Sequence, residues 1–171
     1  MNPFFSSHIS KEKVFFEIRE ELNKQELPII YNEERPWGGF FVIDEKCADN
    51  FLETYFSSLN KNEIMAENKL SPKILIVEAG KRLSWQYHYR RAELWKVISG
   101  NVGVIRSYND EENRIEKFNT GDLIKLKKSE RHRLVGLDNW GVIAEIWQHT
   151  DEDNPSDEED IVRLNDDFGR N

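Results

Sequence analysis

The stretch GKRLSWQYHYRRAELWKVISG, residues 80–100, decides the fold and carries three candidate metal ligands. Alternate side chains of a β-strand point to the same side, so Gln86 and His88 face one way when Tyr87 faces the other. Glu93 follows His88 by five residues, beyond a turn, and an adjacent strand would bring its carboxylate to the same place. The local sequence therefore predicts two strands that share one small site.

A second stretch, GDLIKLKKSERH at residues 121–132, ends in a histidine that can reach this site from a later strand. Two neutral imidazoles, a carboxylate and an amide oxygen make a ligand set that suits zinc, manganese, cobalt, nickel or ferrous iron. The residue types do not choose among these metals. We assign no metal role to His8 or His149. The candidate metal ligands are Gln86, His88, Glu93 and His132.

The chain from Lys73 onward consists of short β-type runs separated by Gly, Asn or Asp. Eight such runs at this spacing predict an all-β fold, an antiparallel sandwich or a small barrel. The runs are Ile74–Glu78, Leu83–Tyr87, Glu93–Ile98, Val102–Ser107, Arg114–Phe118, Leu123–Leu126, His132–Val135 and Val142–Gln148.

The N-terminal part of the chain has helical patterns. Ser10 can cap an amphipathic helix that ends before Pro28, and Asp49 can cap a second, shorter one. The apolar residues at helical spacing are Val14, Phe15, Ile18 and Leu22 in the first helix and Phe51, Leu52, Tyr55 and Phe56 in the second.

We expect one domain, because 171 residues are too few for two well-cored domains. Residues 1–34 would form an N-terminal helical extension and residues 35–150 the β-barrel core. Residues 151–171 hold nine acidic and two basic residues, yet they include enough apolar side chains for this segment to dock on the barrel.

Composition limits the classes of partner. The net charge of −8 lies mostly in the acidic C-terminal segment, and the near-neutral body offers no basic face for nucleic acid. No apolar run approaches the length of a membrane span, and no secretory leader pattern is present. The single cysteine, Cys47, cannot form an internal disulfide. We therefore expect a cytoplasmic protein with no nucleic-acid or membrane partner.

The spacing of Gly80, Gln86, His88, Glu93 and Gly100 resembles the first cupin motif, and Gly121 with His132 resembles the second. More narrowly, the chain is similar to type II mannose-6-phosphate isomerases, the domain often fused to mannose-1-phosphate guanylyltransferases. The similarity extends from residue 35 almost to the end. Its other pieces are Arg35-Pro-Trp-Gly38, Arg91-Ala-Glu93-x-Trp95, Asp160-Ile-Val-Arg163 and Asp167-Phe-Gly-Arg170.

This resemblance implies a double-stranded β-helix (jelly-roll barrel) and a metal-dependent aldose–ketose isomerase. The substrate would be a sugar phosphate, in the first place mannose 6-phosphate converted to fructose 6-phosphate. The cofactor would be one divalent metal ion, zinc before manganese, cobalt, nickel or iron. Cupins of this kind are commonly dimers, so we expect a homodimer.

Arg91 matches an arginine of the isomerase signature and is the first candidate for a catalytic cation. Arginine pairs two phosphate oxygens at once, and the other candidates for substrate binding are Arg163, Arg170, Lys81 and Arg82. Glu145 is the candidate general base: if its strand face points inward, burial raises its pKa toward the useful range. Strand parity alone leaves that orientation open.

Two departures from the family pattern keep alternatives open. Leu94 stands where the family usually has a histidine, and Lys127-Lys-Ser129 replaces a Pro- and Gly-containing segment. A phosphoheptose-type isomerase and a non-catalytic cupin that binds a sugar or nucleotide sugar are the alternative functions. A metal-dependent oxygenase is a more distant one, because histidines plus a carboxylate also hold ferrous iron.

Overall fold

Two antiparallel β-sheets form the body of the protein, in a computed structural model that describes residues 4–60, 64 and 69–169. The predicted all-β class with N-terminal helical additions is confirmed. The helices are α1 (Lys11–Lys24) and α2 (Ala48–Tyr55). The strands are β1 (Ile29–Arg35), β2 (Gly38–Ile43), β3 (Lys73–Val77), β4 (Trp85–Tyr87), β5 (Arg91–Ser99), β6 (Asn101–Ser107), β7 (Glu116–Asn119), β8 (Leu123–Leu126), β9 (Arg131–Gly136), β10 (Gly141–His149) and β11 (Val162–Asn165).

The strand order is β1-β2-β3-β10-β5-β8 in the first sheet and β11-β4-β9-β6-β7 in the second. The eight predicted β-type runs correspond to β3 through β10, with ends that differ by a few residues. The turn between β5 and β6 needs Gly100, because its φ is 71° and a Cβ there would lie 2.2 Å from the Trp140 carbonyl oxygen.

Alternating burial along β3 and β10 separates two apolar clusters. Leu75 and Val77 on β3 and Ile143 on β10 pack between the sheets, while the residues between them face the helices. Because side chains alternate along a strand, Glu145 and Trp147 share the inward face of Ile143. The structure thus decides the question that the sequence left open: the face of β10 that carries Glu145 points inward.

Helices α1 and α2 cover the outer face of the first sheet. Ser10 caps α1 as predicted, accepting a hydrogen bond from the backbone N–H of Lys13 at 3.3 Å. The predicted cap at Asp49 is wrong: a 3₁₀ turn, Glu45–Cys47, precedes α2, and Asp44 caps that turn, so Asp49 lies inside the first turn of α2. Among the described residues no helix is long and apolar enough to cross a membrane.

Strand β1 lies in the segment that was expected to be only helical. It pairs antiparallel with β2 and forms an edge of the first sheet. Five of its seven residues are polar, and most of its side chains are exposed or half-buried, so no apolar alternation marked it in the sequence. The N-terminal segment therefore contributes a strand as well as a helix.

The acidic C-terminal segment also contributes a strand. β11 pairs antiparallel with β4, with Arg163 opposite Gln86. Two ion pairs tie the end of this segment to the second sheet and its flanking loop, since Asp167 contacts Arg82 at 2.6 Å and Arg133 at 3.9 Å. This places residues of the segment beside the candidate metal ligands.

Candidate metal centre and cavity

Three of the four predicted metal ligands meet in the interior. His88 directly follows β4, Glu93 lies on β5, and His132 lies on β9. Their ligand atoms lie within 4.8 Å of one another, and each side chain is 2% exposed. The Nε2 atoms of His88 and His132 lie 3.2 Å and 3.4 Å from the two carboxylate oxygens of Glu93.

Both imidazoles are held in the tautomer that a metal ligand requires. The Nδ1 of His88 lies 2.5 Å from the carbonyl oxygen of Asp160, and the Nδ1 of His132 lies 3.0 Å from that of Glu130. A carbonyl only accepts hydrogen bonds, so each Nδ1 carries a hydrogen and each Nε2 is the nitrogen left to bind a metal. Burial lowers the pKa of His88 to about 3, which keeps this imidazole neutral.

The donor set fits a divalent cation. The Oε2 atom of Glu93 and the Nε2 atom of His132 are buried and make no hydrogen bond within the described part of the chain. Buried polar atoms of this kind cost free energy unless something satisfies them. A cation placed among the three side chains would satisfy both atoms with the two-imidazole, one-carboxylate set that zinc and related metals accept.

Gln86, the fourth predicted ligand, stands opposite His132 in the pairing of β4 with β9. Its side chain lines the same cavity as Glu93, and its Oε1 atom accepts a hydrogen bond from the Ser84 hydroxyl. A carbonyl oxygen has two lone pairs, so this bond leaves one for a metal. Gln86 thus remains a predicted ligand at the edge of the cluster.

Arg91 lies against the cluster. Its Nε donates to Glu93 at 2.8 Å, and its Nη2 lies 3.2 Å from the Nε2 of His88. The guanidinium also lies 3.7 Å from the centre of the Trp147 ring. Burial, the largest single influence on Glu93, raises the pKa of this carboxyl, but the interactions with His88 and Arg91 outweigh it and hold the pKa well below the ordinary value.

Glu145 lies on the inward face of β10 and lines the same cavity as Glu93 and Arg91. The indole N–H groups of Trp95 and Trp147 donate to its two carboxylate oxygens at 2.8 Å and 3.0 Å. Burial, reinforced by the charge of Glu93, raises the pKa of Glu145 to about 7. This is a carboxyl group that gains and loses a proton near neutral pH.

The cavity beside the cluster has a volume of about 450 Å³. It opens between the strand edge of β1, the start of β3 and the C-terminal segment. Sequence reasoning did not assign a site role to several of its lining residues, because they come from segments that are distant along the chain and belong to no metal or catalytic spacing. They include Tyr31, Glu33, Arg35, Trp37, Lys73 and Glu158.

Of the four residues predicted to bind the substrate, the structure describes three, and one of these is found in the cavity wall. Arg163 lines the cavity. Lys81 is exposed, and Arg82 is engaged with Asp167 and Glu112 on the second sheet; among the described residues, neither of these two cations lines the cavity. Arg170 lies outside the described residues.

Leu94 lies on the opposite face of β5 from Glu93 and Trp95. It is buried in the apolar cluster beneath the helices, whereas its two neighbours line the cavity. A histidine at position 94 would therefore point away from the cavity. Its replacement by leucine removes no polar group from the candidate site.

The C-terminal segment holds two residues of the site in place. Besides the His88 contact, the Asp160 carboxylate accepts hydrogen bonds from the backbone N–H groups of Tyr89 and Arg90, both at 2.9 Å. Ser156 accepts a hydrogen bond from Arg91 at 3.0 Å. The segment thus orients both a metal ligand and the arginine beside it.

Truncating the chain after Thr150 is expected to lower affinity for a divalent metal by about tenfold to a hundredfold, because it removes the carbonyl that orients His88. Isothermal titration with zinc or manganese measures the effect. The milder variant Asp160→Asn keeps that carbonyl but weakens the side-chain hydrogen bonds to the backbone N–H groups of Tyr89 and Arg90, so it should lower affinity to a smaller extent. The exposed Asp153→Asn should leave affinity unchanged. Unaltered metal affinity in the truncated protein would show that His88 needs no support from this segment.

Solved structures of similar fold were found by comparison. A mutant of oxalate decarboxylase OxdC from Bacillus subtilis matches 78% of this chain at 14% identity and a TM-score of 0.55. The capsular polysaccharide assembling protein CapF from Staphylococcus aureus matches 80% at 12% identity and a TM-score of 0.53. The chain spans 30% and 32% of those two proteins. These similarities concern the fold, the cupin double-stranded β-helix.

No curated protein matches the sequence. A family model described as the mannose-6-phosphate isomerase C-terminal domain matches residues 48–166, more than half of the chain. The matched segment contains the His88, Glu93 and His132 cluster together with Glu145. The chain therefore belongs to the family of mannose-6-phosphate isomerase C-terminal domains.

Proposed function

We propose that the protein is a metal-dependent aldose–ketose isomerase that interconverts mannose 6-phosphate and fructose 6-phosphate. The observation that carries the proposal is a buried carboxyl group with a pKa of about 7, Glu145, in the same cavity as Glu93 of the candidate metal cluster. The family to which the chain belongs supports the class of reaction.

Isomerisation removes a proton from the carbon beside a carbonyl group and returns it to the neighbouring carbon. A base whose pKa lies near the working pH suits both halves of this transfer. The donors from Trp95 and Trp147 fix the orientation of the Glu145 carboxylate, so one group can remove the proton and give it back.

Negative charge builds on the substrate oxygen while the proton is on the base. A divalent metal held by His88, Glu93 and His132, with Gln86 as a further ligand, would act as a Lewis acid that stabilises this charge. Arg91 contributes a fixed positive charge beside the cluster. Zinc is our first expectation, and the donor set also suits manganese, cobalt, nickel and iron.

The cavity suits a small anionic sugar. Its volume of about 450 Å³ falls in the range of small-molecule sites. Lys73, Arg91 and Arg163 bring positive charge to its walls. A seven-carbon sugar phosphate is the nearest alternative substrate.

Coupled assays with mannose 6-phosphate, fructose 6-phosphate and a heptose phosphate test the proposal. We expect turnover with at least the first pair, loss of at least about 90% of the activity after chelation, and recovery on adding one equivalent of metal. The matched control is the same protein treated with chelator already saturated with metal. Absence of turnover on every sugar phosphate with metal bound would contradict the proposal and favour a binding role, which ligand-induced thermal stabilisation would then reveal.

A further inference from the structure

We propose that Lys73 binds the phosphate group of the substrate, and that Glu158 occupies this place until the substrate displaces it. The inference rests on the proposed function, since it assumes a sugar phosphate in the cavity. It names a subsite that the sequence did not indicate.

Lys73 combines burial with access to the cavity. Its side chain is 7% exposed and lines the cavity at the start of β3. Its Nζ lies 4.3 Å from the centre of the Trp147 ring, against which the Arg91 guanidinium also packs. The indole therefore packs against two cations, and one of them, Arg91, contacts the metal cluster.

The pairing of the strands places Lys73 beside Glu145. In such a substrate the phosphate lies at the end of the carbon chain away from the carbonyl group. Lys73 stands directly opposite Glu145 in the pairing of β3 with β10. A phosphate on Lys73 thus leaves the reacting carbons on the side of Glu145 and the metal ligands.

The present partner of Lys73 is suited to displacement. The Glu158 carboxylate lies 2.5 Å from the Lys73 ammonium, but the Glu158 side chain is 72% exposed. Water can solvate the released Glu158 carboxylate, and an incoming phosphate would replace it as the partner of the buried Lys73 ammonium. A phosphate group carries more charge and three acceptor oxygens, and lysine is an established phosphate binder as a point charge.

Substitutions of Lys73 and Glu158 should change the affinity for phosphate in opposite directions. Lys73→Met keeps the packing on Trp147 and should weaken binding of inorganic phosphate and of mannose 6-phosphate by at least about tenfold. Glu158→Gln removes the competing carboxylate and should tighten both by about threefold or more. Isothermal titration of the full-length protein measures these affinities. Lys117→Met on β7 and the neighbouring exposed Glu159→Gln are the matched controls and should bind as the wild type does.

Unchanged phosphate affinity in Lys73→Met, or weaker affinity in Glu158→Gln, would overturn the proposal. Glu158 is on the surface, so its variant tests the idea even if Lys73→Met unfolds. The outcome is also separable from that of the proposed function. If the two variants change phosphate binding as expected but the protein shows no turnover, the result would support the subsite and contradict the isomerase. If the protein shows turnover but neither variant changes phosphate binding, the result would support the isomerase and contradict the subsite.

Discussion

Replacing His132 by asparagine is expected to lower the affinity for a divalent metal by at least about a hundredfold and to remove most of the turnover with it. Asparagine can keep the hydrogen bond that Nδ1 makes to the Glu130 carbonyl, but it has no atom in the place of Nε2. The substitution therefore removes the ligand atom while leaving a polar contact that supports the strand.

Metal content after dialysis and isothermal titration with zinc and manganese measure this loss. His8→Asn, an exposed position near the N-terminus, is the matched control and should retain full metal affinity. Thermal unfolding in the absence of metal separates loss of a ligand from loss of the fold. Metal affinity equal to that of the wild type in His132→Asn would mean that the cluster is not the binding site.

Replacing Glu145 by glutamine is expected to reduce kcat by about a hundredfold to ten-thousandfold with little change in KM, because it removes the general base. With a pKa of about 7, Glu145 is protonated and inactive as a base at lower pH. The wild-type kcat should therefore rise with pH through the pKa of Glu145, which a cation bound by Glu93 lowers from the metal-free value of about 7, and level off above it. This rise of kcat with pH should be absent from the residual activity of Glu145→Gln.

The same pKa has a consequence for stability. The folded protein holds a proton on Glu145 up to about pH 7, whereas the unfolded chain loses it near the ordinary glutamate pKa of 4.5. Titration of this group therefore leaves the free energy of unfolding unaffected below pH 4.5. As the pH rises from 4.5 to 7, the free energy of unfolding falls by up to about 3 kcal/mol. Urea unfolding of metal-free protein at pH 5 and pH 8 should show a smaller decrease for Glu145→Gln than for the wild type or for the exposed Glu111→Gln.

A kcat within a factor of two of the wild-type value would remove Glu145 from the mechanism.

The metal cluster was predictable from the sequence because short-range geometry determines most of it. The two-residue alternation along a strand and the tight turn after His88 fix the relation of the first ligands to Glu93. The orientation of Glu145 was not predictable in this way. It depends on which face of β10 packs between the sheets, and that follows only from the partner strands.

The subsite at Lys73 and the support from Asp160 were also beyond sequence reasoning. Both arise where segments distant in the chain come together: Lys73 meets Glu158 across 85 residues, and His88 meets Asp160 across 72. Conversely, Arg82 was a reasonable candidate by its position beside the motif, but its carboxylate partners hold it on the second sheet. Composition and spacing carry no information on such long-range pairings.

In the proposed reaction, a base at Glu145 and a metal bound by His88, Glu93 and His132 together move a proton on a sugar phosphate. Proton NMR of fructose 6-phosphate and mannose 6-phosphate with the metal-loaded protein in D₂O tests it most directly. The account predicts loss of the signal from the hydrogen on the carbon beside the carbonyl as solvent deuterium replaces it, at a rate that falls at least about a hundredfold on chelation or in Glu145→Gln. Deuterium exchange that proceeds equally in Glu145→Gln, or none at all with one metal bound per chain, would contradict it.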